Sequence, residues 1–380
     1  MRDKIGFIAV GQAGGNIGML FEKAGHTVLC TNTSKQDLAT LTNAKHTYYI
    51  KGGEGSNKNR DKAKELVIND CEGLLEKIQK TIQEEYVFVI FSSGGGTGSG
   101  ASPMLIDMLI QHTNKTVGAI TILPSHTEPI KPAINSYECF KELEQIDRIA
   151  STFVLDNSKK NKFSINHEFV SLFRSLLKVP QYQNIKGNID AAEIKELLST
   201  RGMAIISKLA KTTNNSSNNS SNNSSNNSSN NGSNIGSIKR GESNVSIDHS
   251  VTPRLIKSLS ENIFAPMESD EVIKYIGISS PVQIDMDAVM RETGVCLDVF
   301  SGLNPDYTIC MLAGLTLPYT ALEILKTKVD SNKDAISNNL VATRETKLSD
   351  GINFVADERP PSSERPTPDM KSVFAKYMKK

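Results

Sequence analysis

The sequence predicts an α/β protein: a doubly wound parallel-sheet domain, joined by a long central helix to a smaller α+β domain. Three observations carry this. Short unbroken apolar, β-branched runs recur through residues 5–155, as in strands buried on both faces of a parallel sheet. Helix-like stretches at 62–80 and 103–111 lie between them, and strand–helix alternation is the pattern of a doubly wound sheet. The loops beyond Val10, Thr31, Ser92, Leu123 and Leu155 are polar or glycine-rich, where such sheets bind ligands.

The strand candidates of the first domain are 5–10, 27–31, 86–91, 117–123 and 153–155. Residues 164–179 form the long helix candidate, with Ile165, Phe169, Leu172, Phe173, Leu176 and Leu177 on one face at helical spacing. A polar loop at 181–188 and a second helix at 191–198 follow. Residues 212–237 are an Asn/Ser tract with four tandem NNSS units. It has almost no apolar side chains and is expected to be a disordered insertion. Order is expected again near Val245, with strands at 272–278, 295–301 and 308–315 building the second domain. A Pro/Ser-rich linker, RPPSSERPTP, then leads into DMKSVFAKYMKK. The division expected is 1–162, 163–200, 201–356 and a flexible basic tail at 357–380.

At 380 residues, 38% hydrophobic and 22% charged, the chain has ample material for a core. A net charge of +1 excludes a global field toward nucleic acid or membrane. Five scattered cysteines without a CxxC pair read as reduced, mostly buried thiols. With neither a signal peptide nor a bilayer-spanning apolar run in view, a cytoplasmic protein is the expectation.

The strongest chemical signal is SSGGGTGSG at 92–100, after the strand YVFVIF and before a helix. A phosphate needs several backbone N–H groups aimed at one spot. Glycine lets the backbone approach closely, and a helix N-terminus adds a favourable dipole. Thr97 and Ser99 add hydroxyl donors. A second loop, GQAGGNIG at 11–18, also follows a strand and opens a helix. Two such loops on neighbouring strand ends imply one polyphosphate held from two sides. No GxxxxGK[ST] exists, so this is not a Walker-type site. Gly96, Gly98 and Ala101 satisfy a relaxed dinucleotide pattern, which keeps an NAD-binding enzyme as an alternative. The next strand, however, carries no acidic residue for a ribose.

GGGTGSG at 94–100 resembles the signature of the tubulin and FtsZ superfamily, and GQAGGN at 11–16 resembles that family's first nucleotide loop. TNTSKQDL at 31–38 is similar to the FtsZ second loop, with Ser34 where aspartate is usual. GEGSNKNRDKA at 53–63 looks like the third loop, which senses a γ-phosphate, and VLDNSK at 154–159 like the strand end with a guanine-contacting asparagine. The resemblance covers roughly residues 4–350. It implies GTP and GDP as ligands, with Mg²⁺ held mainly by phosphates and water rather than side chains. It also implies a nucleotide site of Gly11, Gln12, Ala13, Gly14, Gly15, Asn16, Asn32, Gly55, Ser56, Asn57, Gly94, Gly95, Gly96, Thr97, Gly98, Ser99 and Gly100. Amides satisfy the donors and acceptors of guanine, and Asn16, Asn157 and Asn166 are the candidates. The alternative for Asn157 and Asn166 is turn formation or helix capping.

Asn188-Ile-Asp190-Ala-Ala-Glu193 has the spacing NxDxxE and resembles the synergy loop of this family. Asp190 and Glu193 lie three apart at a helix start, so both carboxylates can share one face. From the residues alone, an N-terminal capping box explains them equally well. The resemblance implies a catalytic role for Asn188, Asp190 and Glu193, exerted on the GTP of the next subunit in a head-to-tail homopolymer. Among branches of the superfamily, the plasmid and phage TubZ-like proteins fit best: the chain is compact and its fifth loop, at 124–129, diverges. The basic tail, with Lys371, Lys376, Lys379 and Lys380, suits docking to a partner. The resemblance makes that partner a DNA-binding adaptor, in plasmid or phage DNA segregation. The rivals are an FtsZ-like division or phage-centring filament and a non-polymerising GTP-binding regulator. Stable membrane insertion is not expected of one short helix with four lysines.

Overall fold

The computed structural model describes residues 1–184, 187–210, 250–268 and 272–334. The Asn/Ser tract at 212–237, the Pro/Ser linker and the basic tail lie outside the described residues, and so does part of the loop at 181–188.

Among the described residues ten strands form one continuous sheet. In chain order they are β1 (Ile5–Val10), β2 (Val28–Asn32), β3 (Thr47–Tyr49), β4 (Tyr86–Ser92), β5 (Thr116–Leu123), β6 (Ser151–Asp156), β7 (Gly202–Ala210), β8 (Val272–Ser280), β9 (Val295–Leu303) and β10 (Tyr307–Leu315). Their spatial order is β3-β2-β1-β4-β5-β6-β7-β10-β8-β9. From β3 through β7 every pairing is parallel. Strand β10 runs antiparallel to both β7 and β8, and β9 is parallel to β8. The second lobe therefore extends the first lobe's sheet, through three residue pairs from Ser151↔Gly202 to Phe153↔Ala204. Burial of all of β1 and β6, and of β4 from Tyr86 to Phe91, explains why the runs at 5–10, 86–91 and 153–155 are apolar throughout rather than alternating.

The helices are α1 (Gly11–Lys23), α2 (Lys35–Ala39), α3 (Arg60–Asn69), α4 (Cys71–Thr81), α5 (Thr97–His112), α6 (Ile130–Glu144), α7 (Lys162–Lys178), α8 (Ala191–Ser199), α9 (Val251–Ser260), α10 (Met286–Thr293) and α11 (Tyr319–Asp330). Three differ from the sequence expectation. The single helix expected at 62–80 is two, α3 and α4, broken at Asp70, whose backbone leaves the helical region at φ −119°, ψ 18°. Its carboxylate accepts from the Tyr48 hydroxyl and the Lys51 N–H instead. The second glycine loop is not a loop: Gly11 is already the first residue of α1. Helix α5 likewise begins at Thr97, inside the glycine signature, and carries Pro103 within it.

Helix α7 is the long central helix. Its apolar face inserts Phe169 and Phe173 among Phe7, Phe21, Phe88 and Phe153, with ring centroids 5.5–6.1 Å apart. Phe264, from the segment after α9, packs on Phe153 and Phe169 at 6.3 and 6.0 Å. One aromatic core thus locks α7 to both lobes, and rigid packing of this density resists relative motion.

Candidate nucleotide-binding site

A cleft of about 640 Å³ opens at the carboxyl ends of β1, β2 and β4. Gly11, Gln12, Ala13, Asn32, Gly55, Ser56, Asn57, Gly94, Gly95, Gly96, Thr97 and Gly98 line it together. These come from four separate stretches of sequence, and the topology gathers them at one edge.

Two helix N-termini abut there. Gly11 has φ +73°, and a Cβ on it would meet the Gly98 nitrogen at 3.4 Å. A Cβ on Gly98 would meet the Ser92 oxygen at 3.1 Å. The positive φ of Gly11 favours glycine there, and the tight fit of Gly98 on the end of β4 leaves little room for a side chain. The dipoles of α1 and α5 both point their positive ends into the cleft, which favours a polyanion.

The third wall is 53–58. Gly55 lies at φ +96°, and the non-glycine pair Asn57 and Lys58 at +47° and +56°. Two successive left-handed non-glycine residues are uncommon and costly, and such strain concentrates at ligand sites. Packing enforces it: a Cβ on Gly96 would collide with Ser56 Oγ and stand 2.7 Å from Lys58 Cα. The Thr97 hydroxyl bridges the walls, 2.7 Å from Thr33 Oγ1 and 3.1 Å from Ser56 Oγ.

Asn135 of α6 went unnoticed in the sequence. Its buried Nδ2 donates to the carbonyls of Gly95, Lys58 and Gly94 at 2.8, 3.0 and 3.3 Å. It therefore staples the glycine turn to the 53–58 wall. Its partners are backbone atoms 40 or more residues away, so no local motif could have marked it. Ser34, Gln36, Asp37, Glu54, Lys58, Glu128 and Pro132 also line the cleft, and all but Pro132 come from the loops expected at 31–38, 53–63 and 124–129. Ser34 caps α2, accepting from the Asp37 N–H, and Asn32 donates to Asp37 Oδ2 at 3.3 Å.

Behind the glycine turn sits a mostly buried charge cluster. Glu142 of α6 accepts from both Arg60 and Lys64 of α3, each at 2.6 Å. Arg60 also donates to the Ser99 carbonyl at 3.1 Å. Glu142 thus ties α3 to α6 behind the glycine turn. Nearby Cys139 is buried, and burial pushes its thiol up to about 12, so it stays protonated.

Some expected residues lie outside the lining. Gly14 is a packing glycine: a Cβ there would collide with the Ile90 carbonyl of β4. Gly100 likewise meets the Arg60 carbonyl at 2.5 Å, whereas Gly15 meets only the movable end of the Leu41 side chain at 2.8 Å. The Ser99 hydroxyl, expected as a donor to the ligand, turns inward to the Gly95 carbonyl at 2.5 Å. Asn16 is exposed on α1, and Asn166 is buried in α7. Asn157 follows β6, its N–H on the Leu123 carbonyl, and its buried Oδ1 has no hydrogen-bond partner among the described residues.

Asn188, Asp190 and Glu193 lie at the other end of the sheet. Lys195 of α8 pairs with Glu85 at 3.2 Å, immediately before β4 begins, and α8 ends on Ser151 at the start of β6. The cleft lies where β4 ends, seven residues on, roughly 20 Å along a strand. The capping box is present: Asp190 Oδ1 accepts from the Ala192 and Glu193 N–H groups at 2.7 and 2.9 Å, and Glu193 Oε2 accepts from the Asp190 N–H at 2.8 Å. Asn188 and Asp190 are exposed and Glu193 is half-buried. Among the described residues no group of three or more His, Cys, Asp or Glu side chains is placed to hold a metal ion. No helix among them is long and apolar enough to cross a membrane.

A parallel sheet with two glycine-built helix N-termini at its carboxyl edge, continued into a second lobe through a buried long helix, defines a nucleotide-binding protein of the tubulin type. Residues 4–164 match the tubulin/FtsZ family, GTPase domain. It is 27% identical over 355 residues to the tubulin-like protein TubZ of Clostridium botulinum C phage, spanning 89% of this chain and 87% of that one. The crystal structure of Clostridium botulinum phage c-st TubZ superposes with a TM-score of 0.70 at 26% identity, over 88% of this chain and 100% of that one. The tubulin-like protein CetZ of Pyrococcus abyssi is 30% identical over 217 residues, 51% of this chain and 58% of its own length. The fold is also that of a GTPγS-form protofilament of Bacillus thuringiensis serovar israelensis TubZ, with a TM-score of 0.68 at 16% identity, covering 89% and 94%.

Proposed function

We propose that this chain is a GTPase that assembles head to tail and hydrolyses GTP at the contact between stacked subunits. One observation carries the reading: the cleft and the Asp190–Glu193 pair occupy opposite ends of one rigid sheet. A subunit cannot bring its own carboxylates to its own cleft. In a head-to-tail stack the two ends meet. The likeness to TubZ, one of whose relatives is solved as a protofilament in a GTPγS form, supports the same arrangement.

The residues then have assignable roles. The N–H groups at the starts of α1 and α5 hold the phosphates. Gly55, Ser56 and Asn57 face the terminal phosphate from their strained loop. Asn157 takes the guanine, its orphaned Oδ1 accepting from the base and its amide group donating to it. Gly14, Gly15, Ser99 and Gly100 act by packing, and Asn16 and Asn166 remain secondary contacts to the base. Asp190 and Glu193 of the neighbouring subunit, with Asn188, orient and deprotonate the attacking water. Mg²⁺, when bound, neutralises phosphate charge, carried mainly by the nucleotide and water. The 1–162 segment is the GTP-binding domain, 163–200 carries the catalytic loop and 201–356 the second domain. The role we infer is cytoplasmic segregation of plasmid or phage DNA, with the tail at 357–380 binding a DNA-bound adaptor.

The test is turnover per subunit across a range of protein concentrations, with light scattering on the same sample. A shared threshold in both signals is the expected result. A flat specific rate without scattering overturns the filament reading even if GTP binds.

A further inference from the structure

The cleft wall formed by the loop between β5 and α6 is held from a distance by the last helix described. Glu128 of that loop lines the cleft. The loop closes on itself, the Glu128 N–H donating to the Ser125 carbonyl at 2.9 Å and the Glu128 carboxylate accepting from the Ser125 N–H at 3.2 Å. On one side His126 meets Ser158 Oγ at 3.0 Å, next to Asn157. On the other, Lys328 of α11 donates its ammonium to two main-chain oxygens, that of His126 at 2.7 Å and that of Glu128. These are charge-assisted bonds, about twice as strong as neutral ones, and they cross 200 residues of sequence. Helix α11 is itself seated on α6 by buried Leu322 and Leu325 and by the Tyr319 hydroxyl on Glu144 at 2.7 Å.

A lysine on a surface helix ordinarily pairs with a carboxylate one turn away, as Lys326 does with Glu323 at 3.3 Å. Lys328 instead reaches off its own helix to main-chain carbonyls of a loop that faces the ligand. Such bonds fix where a backbone sits. We propose that Lys328 is a positioning residue of the nucleotide cleft: it clamps the 125–128 wall in its closed place, so that nucleotide retention depends on the seating of α11. This rests on the reading of the cleft as a guanine-nucleotide site.

The experiment uses the full chain below its assembly threshold and measures release of a fluorescent N-methylanthraniloyl-GDP. Lys328→Ala is expected to release it about tenfold faster, the worth of roughly one lost charge-assisted bond. Lys328→Arg, which keeps donors in reach, is expected to stay close to the parent, and Lys326→Ala to be unchanged. The melting temperature of the nucleotide-free protein is expected to be alike in all four. Release from Lys328→Ala at the parent rate overturns the clamp. So does faster release shared by Lys328→Arg together with an equal fall in nucleotide-free melting temperature, which marks a merely structural role. Failure of the parent protein to bind the probe overturns the nucleotide reading itself, and the clamp with it.

Discussion

Gly96 and Lys58 are held so close that a Cβ on the glycine would stand 2.7 Å from the lysine Cα and 2.8 Å from its nitrogen. Main chain meets main chain, so no side chain can turn aside to make room. Gly96→Ala must push the strained 55–58 loop out of the cleft. Overpacking of this kind costs about 1–3 kcal/mol, and GDP affinity is expected to fall at least about tenfold. Gly95→Ala is the contrast: its Cβ would find nothing nearer than the Ser92 oxygen at 3.8 Å, and it should leave stability within about 0.5 kcal/mol. Denaturant titration and a GDP binding isotherm on the two variants check this.

Glu142 is the anion shared by Arg60 and Lys64 in a mostly buried setting. Glu142→Gln keeps the shape but removes the carboxylate that Arg60 and Lys64 share. Removing one partner of a buried ion pair costs about 3–5 kcal/mol. The same variant should loosen the Arg60 contact to the Ser99 carbonyl, so the loss should appear in urea midpoint and in nucleotide affinity together. A change under about 1 kcal/mol would mean the cluster is well solvated after all.

His26 packs edge-on against Phe7 and Phe21, with Nδ1 3.3 Å from the Ile5 carbonyl. Burial lowers its pKa below the usual imidazole range, against the opposing pull of that carbonyl. The folded protein therefore binds this proton less readily than the unfolded chain. The stabilisation is fully present above about pH 6.5, the unfolded value, and is lost as pH falls through the window below it. Comparing the parent with His26→Asn, the stability difference between them should shrink from pH 7.5 to pH 5.5. A difference that does not vary with pH would exclude His26 as the source.

Much of the fold was legible because its signals are local. Strand β1 was placed to the residue, since an unbroken apolar run of that length permits little else, and the apolar face of α7 followed from spacing alone. Asp70 shows where local reasoning ended: helical periodicity continues across it, and only its engagement by Tyr48 and Lys51, neither near it in sequence, breaks the helix. Strand β7 was missed because it followed α8 without a turn signal strong enough to separate them. Of the site, the glycine turns, Thr97 and Asn32 were legible, since phosphate chemistry constrains residue type at fixed spacing. Asn135, Glu128 and Lys328 were not, because their partners are main-chain atoms or loops that only the tertiary fold brings near. Ser99 misled for the converse reason: its type and position suit a donor to the ligand, but its hydroxyl is spent inside the turn.

The central claim is that Asp190 and Glu193 work on a neighbour's nucleotide rather than only capping α8. Glu193→Gln separates the two roles, because glutamine still completes a capping box while its amide cannot act as a base. The measurement is GTP turnover per subunit for the parent and for Glu193→Gln, above the parent's assembly threshold and with scattering recorded. The account predicts filaments that still form, with turnover lower by about a hundredfold. Turnover equal to the parent's in intact filaments would contradict it and leave the pair as a helix cap.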